Sequence, residues 1–309
     1  MNPVADSTEK TSALAACSTT RPAARVRDYL QLAKPRVTTL VWVSMAAGMG
    51  IASAMGAGTA SALTWLHALV GGFFVIASAN AFNQALEAER DAVMRRTADR
   101  PVPGGRVTRE EAFGVAAAFG LAGLTELALF VNLPTAALGL LSIVLYAFAY
   151  TPLKPRSHLC TLVGAIPGAI PPLAGWVAVT GGLGLPGLLL FAVQFLWQFP
   201  HFWAIAWLNR EDYSRAGFRM LPYPEATAAE TARQCVRYSL ALVPVSAGFA
   251  VFAQSAGLYL ILALGLAFWM VRASLAFRRL GDKASARRLL RVTIAYLPLI
   301  LLVMLLSAK

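Results

Sequence analysis

Charge is scarce in this chain. Only 14% of its 309 residues are Asp, Glu, Lys or Arg, and acids are the rarer sign, 15 against 27 basic residues. A hydrophobic fraction of 58% and a mean hydropathy of +0.61 accompany that shortage, which excludes an ordinary soluble domain. Cysteine is nearly absent as well. Cys17, Cys160 and Cys235 are odd in number and far apart, so neither a disulfide framework nor a zinc motif is indicated. Residues 1–27 are rich in Ser, Thr and Ala but lack the apolar core of a secretory signal, while Asp6 and Glu9 argue against a transit peptide. We expect a disordered cytoplasmic tail over 1–28 and one transmembrane domain over 29–309.

What the chain has instead is long apolar runs. Nine lie near 37–56, 63–86, 112–132, 134–152, 159–180, 184–208, 238–254, 256–275 and 289–308, each close to the roughly 20 residues a helix needs to cross hydrocarbon. A transmembrane barrel would require alternating segments of about ten residues, and these runs are continuous and rich in Leu, Ala and Gly. The expected fold is all-α, a polytopic membrane protein with nine transmembrane helices in one bundle. Every Lys and Arg except Lys309 falls before the first run, in alternate connections, or, as Arg272 and Arg291 do, at the run ends that border the last of them, which places those loops and the N-terminus in the cytoplasm and the C-terminus outside. The net charge of +12 therefore reports orientation among membrane lipids and gives no reason to expect nucleic acid.

Polar chemistry concentrates on that charged side. Residues 83–101, NQALEAERDAVMRRTADRP, hold four acids and four arginines at the end of an apolar run. Asn83, Glu87 and Asp91 recur every four residues and share one helix face, drifting by about 40° per step. Three oxygen-bearing side chains converging in this way suit a Mg²⁺ ion. Arg95, Arg96 and Arg100 offer forks that suit phosphate oxygens, and the interleaving of both sets points to a diphosphate. Local pairing of charges at a solvated helix end is the competing reading.

A second polar segment begins in the sixth run with Pro200 and His201 and continues through Asn209, Arg210, Glu211, Asp212 and Tyr213. Asn209, Glu211 and Asp212 are expected to form a second oxygen cluster at the depth of the first. His201, about two turns earlier, is either hydrogen-bonded to a neighbour or placed for a ligand. Lys154 and Arg156, in the turn YTPLKPRSH, reach a phosphate from the side or simply mark the cytoplasmic face. Gly164, Pro167, Gly168, Pro171, Pro172 and Gly175 predict a kinked or closely packed helix with room beside it for a bulky ligand. Glu126, alone in the third run, is expected to be protonated or paired inside the bundle. A transporter with a midplane site is the reading from another class, although the outer half offers such a route only Glu126 and His67.

These motifs resemble the protohaem IX farnesyltransferase family of the intramembrane prenyltransferases. The resemblance spans from about Leu32 to the last run and rests on Lys34-Pro35-Arg36-Val37, Asn83-x3-Glu87-x3-Asp91 with Arg96-Thr97 and Arg100-Pro101, Tyr150 to Lys154, Gly164 to Trp176, Pro200-His201-Phe202, Asp212-Tyr213 and Met220-Leu221-Pro222. It implies farnesyl diphosphate and haem B as substrates and Mg²⁺ as cofactor. Asn83, Glu87, Asp91, Asn209, Glu211 and Asp212 would be metal-side ligands, although the second set is shorter than the family's aspartate-rich repeat. Arg95, Arg96, Arg100, Lys154 and Arg156 would bind diphosphate, Lys154 and Arg156 having a haem propionate as their other expected contact. His201 would contact haem or handle a proton. A bacterial inner membrane, a site facing the cytoplasm and contact with a haem A synthase are further expectations of the resemblance. Prenylation of a quinone precursor or chlorophyllide is the same-class alternative.

Overall fold

A computed structural model describes residues 25–223 and 226–309. Among them are nine helices long and apolar enough to cross a membrane, so the chain is a multi-pass membrane protein. The spans are α2 (Pro35–Ala54), α3 (Ala62–Ala92), α4 (Arg109–Phe130), α5 (Leu133–Leu153), α6 (Cys160–Thr180), α7 (Leu185–Leu208), α9 (Ala228–Phe252), α10 (Ala256–Leu280) and α11 (Lys283–Ser307). Two short helices, α1 (Val26–Leu32) and α8 (Arg210–Arg215), lie on the charged side.

The expected tail over 1–28 lies outside the described residues except at its end. There the structure corrects it: residues 26–28 belong to α1, because the Asp28 carboxylate accepts hydrogen bonds from the Arg25 backbone N–H at 3.0 Å and from Arg106 Nε at 2.7 Å. The Arg106 guanidinium holds that carboxyl below the usual carboxylate range.

Several spans begin or end beyond their apolar runs, because capping side chains satisfy the terminal backbone groups on the wet side. Thr227 accepts from the Glu230 N–H while Glu230 accepts from the Thr227 N–H, so α9 starts ten residues before its expected position. Asp282 caps α11 in the same manner through the Ser285 N–H. The extension with most consequence is that of α3, which runs to Ala92 and carries the whole Asn83–Asp91 stripe as unbroken helix.

Helix α6 is the axis of the bundle, with 78% of its apolar window buried. A Cβ on Gly48 would overlap the Pro172 carbonyl, and one on Gly175 would overlap the Met45 carbonyl, so α2 and α6 touch backbone to backbone. The α6 prolines have no N–H to donate, which frees carbonyls one turn earlier. Ser142 Oγ donates to the Pro167 carbonyl left by Pro171, and Gln194 Nε2 donates to the Gly168 carbonyl left by Pro172, at 3.4 and 2.6 Å. The expectation of ligand space beside this helix is therefore corrected: Gly164 receives the Tyr150 ring and Gly168 receives the Gln198 amide. Neighbouring protein fills the gaps.

Glu126 pairs with His67, Oε1 to Nδ1 at 2.6 Å, and the imidazole stacks on Phe130. The two outer ionisable groups that a transport route would use thus satisfy each other.

Candidate active site

Helix periodicity puts Asn83, Glu87 and Asp91 on one face of α3, and the bundle buries all three, each at 5% exposure or less. Carboxylates at that depth need counter-charges. Each oxygen residue meets its own cation from a different segment. Lys34 Nζ donates to Asn83 Oδ1 at 2.6 Å, Lys154 Nζ lies 2.7 Å from Glu87 Oε1, and Arg100 Nη1 donates to Asp91 Oδ2 at 2.5 Å. Asn83 Nδ2 also donates to Thr151 Oγ1 at 3.1 Å, which fixes the amide with its oxygen toward Lys34.

The segments that bring these cations are locally unusual. Lys34 stands between α1 and α2 with φ +48°, the one described non-glycine residue in the left-handed region, and a residue before proline is already disfavoured in the helical region. Such strain costs about 1–3 kcal/mol and persists where surrounding contacts over-determine it, often at functional sites. Lys154 follows a π-helical stretch, Val144–Tyr150, in α5, where the widened turn directs Tyr146, Tyr150 and Lys154 into one cavity. Burial, then the neighbouring Arg100 and Lys154 charges, lowers the Lys34 pKa to about 7. Burial also opposes the Lys154 charge, but the Glu87 carboxylate together with Tyr150 and Tyr146 more than offsets it, and its pKa rises above that of an ordinary lysine.

The cavity encloses about 280 Å³. Four cationic side chains, Lys34, Arg96, Arg100 and Lys154, share it with two carboxylates, and Asn80, Tyr146, Tyr150, Phe202 and Tyr213 are among the other lining residues. That excess of positive charge suits a polyanion. His201 lines the same space, its Nδ1 2.9 Å from Thr293 Oγ1 and its ring stacked on Trp197 at 4.8 Å. It is both hydrogen-bonded to a neighbour and open to a ligand.

The donors also fit a hard divalent cation. Glu87 Oε1 is buried and lies off the hydrogen-bonding direction despite its contact with Lys154, and Asp91 and Asn83 supply further oxygens on the same face. Among the described residues no three His, Cys, Asp or Glu side chains cluster as a metal site. Two carboxylates and an amide leave an ion to complete its shell from water and a bound phosphate, as Mg²⁺ does.

The second oxygen set does not join them. Asn209 spends its amide on the Ile205 carbonyl at 2.8 Å where α7 ends, Asp212 pairs with Arg215 in the next turn, and Glu211 is 76% exposed, 3.8 Å from Arg210 and Lys283. None of the three lines the cavity. The reason is the chain break at Asn209, where φ −110° and ψ 20° end one helix and a new axis starts with α8. Arg95 and Arg156 are exposed and likewise lie outside the lining. Lys34, Asn80, Tyr146, Tyr150 and Tyr213 are cavity residues that spacing alone does not reveal. The lone lysine before Pro35 and the aromatic pair four residues apart were the available signals.

A bundle with nine spans among the described residues and a buried oxygen stripe, each member faced by a cation, defines an intramembrane enzyme for a charged-headed, oily substrate. The chain belongs to the UbiA prenyltransferase family, whose model matches residues 40–300. A relative from Solibacter usitatus, named Protoheme IX farnesyltransferase, is 42% identical over 288 residues, covering 91% of this chain and 99% of the relative. Two solved structures share the fold. One is a digeranylgeranylglyceryl phosphate synthase with TM-score 0.72 and 19% identity, covering 91% of this chain and 98% of its own. The other is a UbiA homologue from Archaeoglobus fulgidus bound to DMAPP and Mg²⁺, with TM-score 0.61 and 16% identity, covering 88% and 99%.

Proposed function

We propose that this chain transfers a farnesyl group from farnesyl diphosphate to a vinyl group of protohaem IX (haem B), giving haem O with addition of water. The observation that carries the reading is its 42% identity, over nearly the full length of both chains, to a Protoheme IX farnesyltransferase. The cavity chemistry agrees with it. Mg²⁺ held by Glu87, Asp91 and Asn83 would supply Lewis-acid stabilisation of the charge gathering on the leaving diphosphate.

The chain's own groups do the remaining work. Lys34, Arg96, Arg100 and Lys154 exchange their present partners for diphosphate oxygens, stabilising the leaving group as the C1–O bond breaks. The faces of Tyr146 and Tyr150 attract the allylic cation and keep bulk water from it. The vinyl π pair forms the new bond to C1, and water adds to the resulting cation with loss of a proton. His201, oriented by Thr293 and Trp197, handles that proton. The distribution of Lys and Arg supports a site facing the cytoplasm, and the resemblance to a bacterial Protoheme IX farnesyltransferase supports an inner-membrane setting.

The test is product mass. Membranes containing the protein, given farnesyl diphosphate, Mg²⁺ and haem B, should yield haem enlarged by one farnesyl group and one water. Turnover of a quinone precursor or chlorophyllide with haem B left unchanged would remove the acceptor assignment.

A further inference from the structure

A larger cleft adjoins the diphosphate cavity, about 930 Å³ in volume, near the upper end of the range for small-molecule sites. It lies on the charged side between the end of α7, α8 and the start of α9. Tyr213, Phe218 and Met220 line both spaces, so side chains form the wall between them. Tyr213 also faces Arg96, its hydroxyl 3.4 Å from Nη2, which ties the wall to the diphosphate cavity.

The cleft's chemistry differs from that of its neighbour. Trp207, Tyr213, Phe218 and Tyr223 supply broad aromatic surface, and Arg210 and Arg219 supply two positive charges against the single carboxylate of Glu211. The Arg210 guanidinium lies over the Trp207 ring, 4.5 Å from its centroid; its Nη1 donates to the Trp207 carbonyl at 3.1 Å, and its Nη2 lies 3.8 Å from the exposed Glu211 carboxylate. Arg219 is exposed, while its backbone is fixed by an N–H donated to the Lys154 carbonyl at 2.7 Å. A farnesyl chain has no use for two arginines. A flat, aromatic dicarboxylate uses both features.

We propose that this cleft is the haem subsite, with the propionates on Arg210 and Arg219 and the macrocycle against the aromatic side chains. The proposal rests on the haem-farnesylating reading above. Haem carries its vinyl groups on the edge opposite its propionates. With the propionates held by these arginines, the vinyl edge turns toward Tyr213, Phe218 and Met220 and the farnesyl C1 beyond them. The arginines position the acceptor and take no part in bond making.

The experiment uses full-length protein in detergent, comparing wild type with Arg210→Leu/Arg219→Leu, and haem B with its dipropionate dimethyl ester. Haem affinity is read by absorbance titration, and KM is measured separately for haem and for farnesyl diphosphate. The leucine pair should raise the haem Kd and KM by about tenfold or more, as expected for losing charge-assisted contacts, with the farnesyl diphosphate KM within about twofold. Esterification should weaken binding to wild type by a similar factor and to the leucine pair very little, and Arg210→Lys/Arg219→Lys should recover most of the affinity. Equal sensitivity of wild type and leucine pair to esterification would overturn the subsite, as would a rise confined to the farnesyl diphosphate KM. If wild type binds haem with this charge dependence but makes no farnesylated product, the functional reading fails and the subsite stands.

Discussion

Two acidic stretches that look alike in the sequence have opposite fates in the fold. Asn83, Glu87 and Asp91 are buried on one continuous helix, each met by a cation from elsewhere in the chain. Asn209, Glu211 and Asp212 straddle a helix end, and their partners are local or exposed. The difference teaches that composition does not make a site in this fold. What makes it is a helix that keeps its axis past the apolar region while neighbouring segments close over it.

The two stretches should part most widely at Asp91. Asp91→Ala should lower kcat/KM for haem farnesylation by about 10³-fold, the upper range for removing one preorganised charge-stabilising group, as followed by haem product formation. Chelating divalent cations from wild-type membranes should abolish turnover, and added Mg²⁺ should restore it. Persistent activity after chelation would leave the oxygen stripe as a purely structural ion-pair network.

Lys154→Met leaves the Glu87 carboxylate buried and uncompensated, and should cost about 3–5 kcal/mol of stability, read from unfolding in detergent. Adding Glu87→Gln should recover much of that loss without recovering activity. Lys34 hydrogen-bonds the neutral Asn83 amide, and Glu87 and Asp91 keep their own cations, so Lys34→Met should cost less stability, while farnesyl diphosphate KM rises about tenfold for the lost charge-assisted contact. At the bottom of the scale, Glu211→Gln removes only exposed ion pairs, worth about 0–1 kcal/mol, and should change neither stability nor turnover by more than about twofold.

The parts of the fold that depend on local physics were legible in the sequence. Nine apolar runs appear as nine spans among the described residues, and a four-residue spacing is enough to align Asn83, Glu87 and Asp91 once α3 is continuous. The same spacing logic fails after Asn209, because it presumes a helix that the backbone there ends. Lys34 escapes it for another reason: its role depends on a left-handed turn and on a contact across 49 positions. The Gly/Pro pattern of α6 reveals that small residues make space, whereas only the packing shows that Tyr150, Gln198 and the α2 backbone occupy it. Glu126 needed a partner by burial logic, and His67, 59 positions away, supplies it.

Whether the first stripe, and not the second, holds the reacting diphosphate is decided by kcat/KM for haem farnesylation in Asp91→Asn and Asp212→Asn, measured side by side in membranes with matched protein levels. Asp91→Asn should fall by about 10²–10³-fold, and Asp212→Asn should stay within about twofold of wild type, as for an exposed pair. Equal losses in both variants, or the larger loss at Asp212, would move the diphosphate to the second set.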